Sequence, residues 1–179
     1  MAKQQRQLEN LLGALALSVT DAVAHGIEDS AGAYGSDTFA LVLLQHWQTL
    51  RSDMLARQLG LAQSSTVRLV DRLESAGLVQ RCTGRDRRTV ILSLTADGLK
   101  QAEEILGARQ QVLCRLVSLL SEDERLALQG IANKLLTVLT PDAVSGEHNC
   151  RLCDESACNL QQCPVELRYQ TFDDALRPE

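Results

Sequence analysis

The chain has 179 residues, 45% of them apolar, and a formal net charge of −5, which suits one globular domain with an appendage. No apolar run is expected to reach the length of a membrane span, and the start MAKQQRQLEN has no signal-peptide pattern. Because only 3% of the residues are aromatic, Leu, Ala and Val must build the core, which favours helices. We therefore expect a mainly helical, cytoplasmic protein with reduced thiols and no membrane partner.

Apolar residues recur at helical spacing over residues 4–27, which predicts the first helix. Three glycines are then expected to interrupt the pattern, at Gly26, Gly32 and Gly35. Further helices are predicted over residues 36–47 and 53–59, and the second of these should end at Gly60.

Residues 63–76 predict another helix, directly after the short helix at 53–59. Its inward face is expected to hold Val67, Leu69, Val70 and Leu73. Two β-like runs, 78–82 and 89–94, then flank the basic tip TGRDRR. A short helix, a turn, a second helix and a basic hairpin together predict a winged helix-turn-helix, mainly α with a small β-wing.

Positive charge is concentrated in this part of the chain. Residues 51–93 contain eight arginines and four acidic residues, a net charge of +4, so the remainder carries −9. A basic module within an acidic scaffold is typical of a DNA-binding lobe. In such a lobe the second helix enters the major groove and the wing tip reaches the minor groove.

Two helices are predicted after the hairpin. Thr95 should cap a helix that runs to about residue 120. Ser121 and Glu124 should form the capping box of a helix that runs to about residue 139. Pro141 and Gly146 are expected to mark a linker to the last segment.

The block MLARQLGLAQSSTVRLVDRLESAGLVQRCTGRDRRTVILSLTADG, residues 54–98, resembles the MarR family of bacterial transcriptional regulators. The likeness is clearest in VDRLESAGLVQR, in the wing DRR and in LTADG, and the order of elements agrees over about residues 5–140. It implies a DNA-binding regulator, usually a repressor, and no enzyme. It also implies an obligate homodimer, formed by interlocking N- and C-terminal helices, on a pseudo-palindromic operator in double-stranded DNA.

The resemblance implies four parts of the chain. An N-terminal dimerisation helix would occupy residues 1–35, and the winged helix-turn-helix lobe 36–95. The C-terminal dimerisation helices would occupy 96–140, and a cysteine-rich tail outside the family pattern would occupy 141–179.

By position, the resemblance also implies the residues that contact DNA. Those of the second helix would be Gln63, Ser64, Ser65, Thr66, Arg68 and Arg72. In the wing, Asp86 would pair with Arg88 and brace the loop, which leaves Arg85 or Arg87 to enter the minor groove. Members of the family commonly sense aromatic ligands or oxidants. Because this chain has few aromatic residues, its signal is expected in the cysteine tail.

Four of the six cysteines form the pattern C-x2-C-x4-C-x4-C-P, as Cys150, Cys153, Cys158 and Cys163. This segment is too short to bury a core, so a metal or cluster is expected to order it. Four thiolates suit tetrahedral Zn²⁺ or an iron–sulfur cluster, [2Fe–2S] or [4Fe–4S]. The iron–sulfur cluster is favoured, because the final Cys-Pro is typical of ferredoxin runs. The segment is also similar to the cysteine loop of the MerR-type superoxide sensor, which carries a [2Fe–2S] cluster.

The tail is expected to control DNA affinity by changing its packing on the dimer helices, and so the spacing of the recognition helices. Three alternatives stay open: a metal-free thiol switch, a structural zinc in a ligand-responsive regulator, and a thiol or electron-transfer enzyme with a DNA-docking module. His148 could substitute as a ligand. Cys82 and Cys114 are expected to pack as small hydrophobes, with oxidation of Cys82 as the alternative.

Overall fold

A computed structural model describes residues 2–83 and 90–172 of the chain. Its elements are α1 (Ala2–Ala31), α2 (Ser36–Trp47), β1 (Thr49–Arg51), α3 (Ser52–Leu59), α4 (Gln63–Ser75), β2 (Val79–Thr83), β3 (Val90–Leu94), α5 (Ala96–Ser118), α6 (Glu122–Val138), α7 (Ala143–Cys150), a 3₁₀ turn (Glu155–Ala157) and α8 (Pro164–Tyr169). The predicted fold class is confirmed: the chain is mainly helical, and α3 and α4 are followed by a β-hairpin.

The hairpin belongs to a three-stranded antiparallel sheet with the strand order β1-β3-β2. Sequence patterns predicted β2 and β3 but missed β1, because three residues are too few to show alternation. Pairing with β3 makes this segment a strand, with Leu50 opposite Leu92. Both leucines are fully buried, so β1 fastens the wing to the helical core.

The predicted helix ends are confirmed by their hydrogen bonds. The Thr95 hydroxyl accepts a bond of 3.0 Å from the Gly98 N–H at the start of α5. At α6, Ser121 and Glu124 form the reciprocal capping box. Gly60 ends α3 in the left-handed conformation, with φ of 64°, which glycine adopts without strain.

The helix α1 is longer than predicted, because Gly26 does not interrupt it. A Cβ on this residue would lie 2.8 Å from the Val112 side chain of α5. Gly26 therefore serves the close approach of the two helices. Gly32 lies just after α1 with φ of 80°, so it ends the helix as expected.

The core lies between α1, α2, α3, α4, α5 and the sheet. Its largest fully buried apolar side chains are those of Ile27, Leu41, Leu44, Leu50, Leu55, Leu69, Val70, Leu92 and Ile105. Leucine and other aliphatic side chains dominate this set, as the shortage of aromatic residues predicted.

Two helices carry apolar stripes outside this core. On α1 the exposed members are Leu8, Leu11, Leu12, Leu15 and Leu17, and on α6 they are Leu126, Leu128, Ile131, Leu135 and Val138. Exposed apolar residues at helical spacing are typical of a surface that contacts another protein chain or a membrane.

By length and composition, Lys3–Ala31 could also cross a membrane, contrary to the expectation from the sequence. Helices at the interface between two protein chains carry the same pattern. Length and composition therefore do not assign α1 to a membrane.

The tail folds onto the rest of the chain through two short helices that the sequence did not predict. Gly146 was expected in a linker but lies within α7, where a Cβ would be 3.3 Å from both Thr140 and Tyr169. Its lack of a side chain lets α7 approach α8 and the end of α6. Leu152 extends the contact by packing against the main core.

Candidate functional site

The first turns of α4 present polar side chains to solvent. Gln63, Ser64, Ser65 and Arg68 are all exposed, while Leu69 and Leu73 bury the opposite face against the core. Arg68 has no carboxylate partner among the residues that the structure describes. This surface can therefore offer an amide, two hydroxyls and an unpaired guanidinium to base edges and phosphates.

Two of the predicted contact residues on α4 are differently placed. Thr66 is fully buried, and its hydroxyl donates a 3.2 Å bond to the Ala62 carbonyl. The prediction that Thr66 contacts DNA is wrong, because its side chain is buried in the core. The sequence had placed Val67 at this buried position. Val67 is instead exposed. Arg72 is exposed but donates to Asp37 of α2 at 2.6 Å, which raises the pKa of the guanidinium through that bond.

The predicted wing residues Arg85, Asp86, Arg87 and Arg88 lie outside the described residues, so their roles stay predictions. At the base of the wing, Arg81 forms ion pairs with Asp71 and Glu74 of α4, at 2.6 and 2.7 Å. These pairs tie the wing strand to the recognition helix.

A second site lies where the tail meets α2 and α3. All four tail cysteines line one cavity of about 90 Å³, beneath α2 and α3. Cys150 ends α7 and Cys153 follows in a turn closed by a 2.8 Å main-chain bond between the two. Cys158 follows the 3₁₀ turn. Cys163 precedes Pro164, whose fixed φ suits the first position of α8.

The cysteine thiols interact electrostatically. The Cys150 thiol donates a hydrogen bond to the Cys153 sulfur, which lowers the pKa of Cys153 to about 7. Arg109 and His46 act in the same direction. The same hydrogen bond and burial raise the pKa of Cys150, and burial raises the pKa of Cys158. Cys153 is therefore the cysteine best suited to ionise and to begin metal binding or thiol chemistry.

The donor set fits a thiolate-bound metal or cluster in its chemistry but not in its present spacing. Within the described residues, no three His, Cys, Asp or Glu side chains are close enough together to hold a metal ion. Cys158 is exposed, at the rim of the cavity. Four thiolates would therefore have to converge when a metal or cluster is bound.

The opposite wall of the cavity comes from the DNA-binding lobe, which the sequence did not reveal. His46 of α2 contacts Glu155 of the tail, with 2.8 Å between Nδ1 and Oε2. Trp47 lies beside His46, with ring centroids 4.7 Å apart. Gln58 of α3 also lines the cavity. More than 90 positions separate these residues from all four cysteines, so only the fold brings them together.

The tail is anchored to α3 by a buried ion pair. Arg57 donates to Glu147 of α7 at 2.7 Å, and the Tyr169 hydroxyl of α8 donates to the same carboxylate at 2.9 Å. Glu147 thus joins both tail helices to the first helix of the helix-turn-helix. Because α3 also packs on α4, a single helix separates the tail from the helix that was predicted to contact DNA.

His148 and the two cysteines outside the tail are not placed as the sequence predicted. His148 does not line the cavity; its ring bonds to the main chain of Gln58. Cys82 and Cys114 are both exposed in the single chain, so the prediction that they pack as small hydrophobes is wrong.

Comparisons with known proteins agree with this architecture. Residues 36–90 match the MarR family. The chain is 30% identical to the HTH-type transcriptional repressor MdtR of Bacillus subtilis over 64% of this chain and 74% of that protein. The structure of a MarR family protein from Bacillus stearothermophilus has a TM-score of 0.68 and 27% identity, over 78% of this chain and 98% of that one.

A mutant of MarR from Escherichia coli, solved with operator DNA, shares the fold at a TM-score of 0.56 and 23% identity, over 70% of this chain and 93% of that one. Because nearly all of each solved chain is matched, about a fifth or more of the present chain has no counterpart in them. This is the size of the segment that contains the cysteines. The remainder has the sequence and the fold of a single family. The chain belongs to the MarR family of winged-helix transcriptional regulators.

Proposed function

We propose that this regulator represses transcription as a homodimer on a pseudo-palindromic operator, and that a metal or iron–sulfur centre in its tail sets its affinity for DNA. Cys150, Cys153, Cys158 and Cys163 would hold the centre. One observation carries the proposal: all four cysteines line a single cavity whose other wall is formed by α2 and α3 of the DNA-binding lobe.

The DNA-binding part of the proposal rests on family membership and on the exposed face of α4. This helix would enter the major groove, with Gln63, Ser64, Ser65 and Arg68 as its contact residues. Arg72 could contribute after exchanging Asp37 for a phosphate. The wing residues Arg85 and Arg87 would reach the minor groove. Dimerisation is typical of the family, and the apolar stripes of α1 and α6 would form the interface, with 36–95 as the DNA-binding part.

The chemistry of the cavity supports the second part. Soft thiolate ligands select zinc, copper(I) and iron–sulfur clusters. An iron–sulfur cluster, the favoured centre, would supply redox or iron sensing, whereas Zn²⁺ would supply cross-linking alone. To bind either centre, the tail would have to move Cys158 and Cys163 towards Cys150 and Cys153. Such a rearrangement of the tail is what a regulatory centre requires.

The proposed route to DNA adds contacts with the DNA-binding lobe to the packing on the dimer helices that was expected from the sequence. Besides α8 on α6, the tail contacts the DNA-binding lobe itself, through Glu147 to Arg57 and through Glu155 to His46. Movement of the cysteine segment would therefore change the position of α3, and with it α4. A displaced recognition helix loses base contacts, and a coupling free energy of about 1–3 kcal/mol suffices for regulation.

Anaerobic absorption spectra of freshly purified protein, with iron, sulfide and zinc contents on the same sample, test the centre. We expect iron and sulfide near stoichiometric amounts, a visible charge-transfer band, and loss of both in Cys153→Ser. Cys114→Ser, which removes an exposed cysteine outside the cavity, is the matched control and should retain them. Protein without bound iron or zinc, or with metal that is unchanged in Cys153→Ser, would contradict the proposal.

A second candidate is a ligand-responsive regulator whose tail holds a structural zinc. The cavity favours it through its apolar wall, which includes Val42, Leu43 and Trp47. Colourless protein with one zinc per chain, and DNA affinity independent of that zinc, would select this candidate.

A further inference from the structure

The side-chain amide of Gln58 is buried and makes no hydrogen bond to any residue that the structure describes. It is 1% exposed, and neither Oε1 nor Nε2 has a hydrogen-bond partner within residues 2–83 and 90–172. Native proteins pair nearly all buried polar groups, so an exception needs an explanation such as a bound ligand. The side chain lines the cavity of the four cysteines.

The position of this amide is fixed by its neighbours. Leu55 and Leu59 of the same helix are buried in the core, so α3 cannot rotate to expose Gln58. Arg57 holds Glu147, and the main chain of Gln58 binds the His148 ring. The helix is therefore fastened to the tail at Arg57 and at the main chain of Gln58 itself.

Two other side chains of the cavity wall that can donate hydrogen bonds already have partners. His46 contacts Glu155, and the Tyr169 hydroxyl donates to Glu147. A thiolate sulfur, or the sulfide of a cluster, accepts hydrogen bonds and cannot donate them. The side chain of Gln58 offers two N–H donors at Nε2 and lines the same cavity as the four cysteines.

We propose that Gln58 is a binding residue of the centre, donating from Nε2 to a sulfur of the group that the four cysteines hold. This inference rests on the proposed function and deepens it: α3 would contact the centre directly, beside the Arg57 anchor. Groups that hydrogen-bond metal ligands orient them and tune the affinity of the site. The amide would then stabilise the protein with the centre bound, and its unmade hydrogen bonds would lower the stability of the metal-free protein.

The variant Gln58→Met tests this, because methionine has a similar length and no amide. Zn²⁺ is the probe, titrated anaerobically into reduced, metal-free protein against a chromophoric chelator. We expect Zn²⁺ binding to weaken by about tenfold or more, while the melting temperature of the metal-free protein stays equal or rises. The control Gln101→Met removes an amide that bonds the Ala31 carbonyl, and should leave Zn²⁺ affinity unchanged.

Unchanged Zn²⁺ affinity in Gln58→Met would overturn the inference. So would a lower melting temperature without metal, or failure to fold, since either result would show that the amide serves the fold. If wild-type protein binds Zn²⁺ no more tightly than Cys153→Ser, both this inference and the thiolate centre are refuted. If only the Gln58→Met result fails, the thiolate centre stands.

Discussion

Glu147 of α7 and Arg57 of α3 form a 2.7 Å ion pair in which the glutamate side chain is 3% exposed and the arginine 26%. The pair joins a segment outside the usual family pattern to the helix that supports the recognition helix. It is the most buried ionic contact between the tail and the DNA-binding lobe among the residues described. Removal of this ion pair should therefore weaken the connection between the tail and the DNA-binding lobe.

Glu147→Gln should destabilise the protein by about 2 kcal/mol, because Arg57 loses a charged partner that is shielded from solvent. The bond from Tyr169 can remain. Urea unfolding measures the change. Asp37→Asn, which removes the exposed partner of Arg72, is the control and should cost less than about 1 kcal/mol. Equal losses in the two variants would show that Glu147 has no special role as an anchor.

Arg68→Ala should weaken operator binding by about tenfold, because this guanidinium is exposed on α4 and unpaired among the described residues. Fluorescence anisotropy at fixed salt gives the affinity. Lys100→Ala removes the same charge on α5, where Lys100 lies 3.9 Å from Glu104, and should change binding little. An Arg68→Ala protein with wild-type affinity would exclude the proposed orientation of α4.

Thr66→Val should lower the stability of the protein alone, and Ser65→Ala should lower its affinity for DNA alone. The first removes the buried bond to Ala62 and should cost about 1 kcal/mol of folding free energy, while the folded protein keeps its affinity for DNA. The second removes an exposed hydroxyl and should weaken DNA binding without loss of stability. Urea unfolding and anisotropy separate the two. Reversed results would mean that the register of α4 is different.

Leu12→Asp should dissociate the dimer, because it places a charge in the apolar stripe of α1, where Leu12 is 51% exposed in the single chain. Sedimentation velocity measures the change in mass, and circular dichroism shows whether the helices persist. Val144→Asp on α7, where the side chain is 42% exposed, is the control and should stay dimeric. A Leu12→Asp dimer of wild-type stability would remove α1 from the interface.

Most of the winged helix-turn-helix was predictable because its helices and the two hairpin strands leave local signals, whereas the three-residue strand β1 leaves none. The capping box at Ser121, the glycine at Gly60 and the spacing of apolar residues in α4 all act within a few positions. The difference between Thr66 and Val67 shows the limit of periodicity. One step along a helix rotates a side chain by about 100°, and either residue suits the edge of a buried face.

The cavity could be predicted only in part. The cysteine spacing indicated a site, but α7 and α8 are short helices held by contacts that are distant in the sequence, chiefly Glu147 with Arg57. His46 and Gln58 belong to helices whose local patterns explain them as ordinary members of the lobe. No signal in the sequence couples them to a tail that begins more than 80 residues later.

Control of DNA binding by the centre is tested most directly by measuring the operator affinity of one protein preparation in two states. The centre is first loaded anaerobically and is then removed by a chelator. The operator is first obtained by selection from random duplexes. We predict dissociation constants that differ at least fivefold between the states, the lower bound of about 1 kcal/mol for allosteric coupling. The difference should disappear in Cys153→Ser and persist in Cys114→Ser. Equal dissociation constants for a fully loaded and a fully stripped wild-type protein would contradict the account.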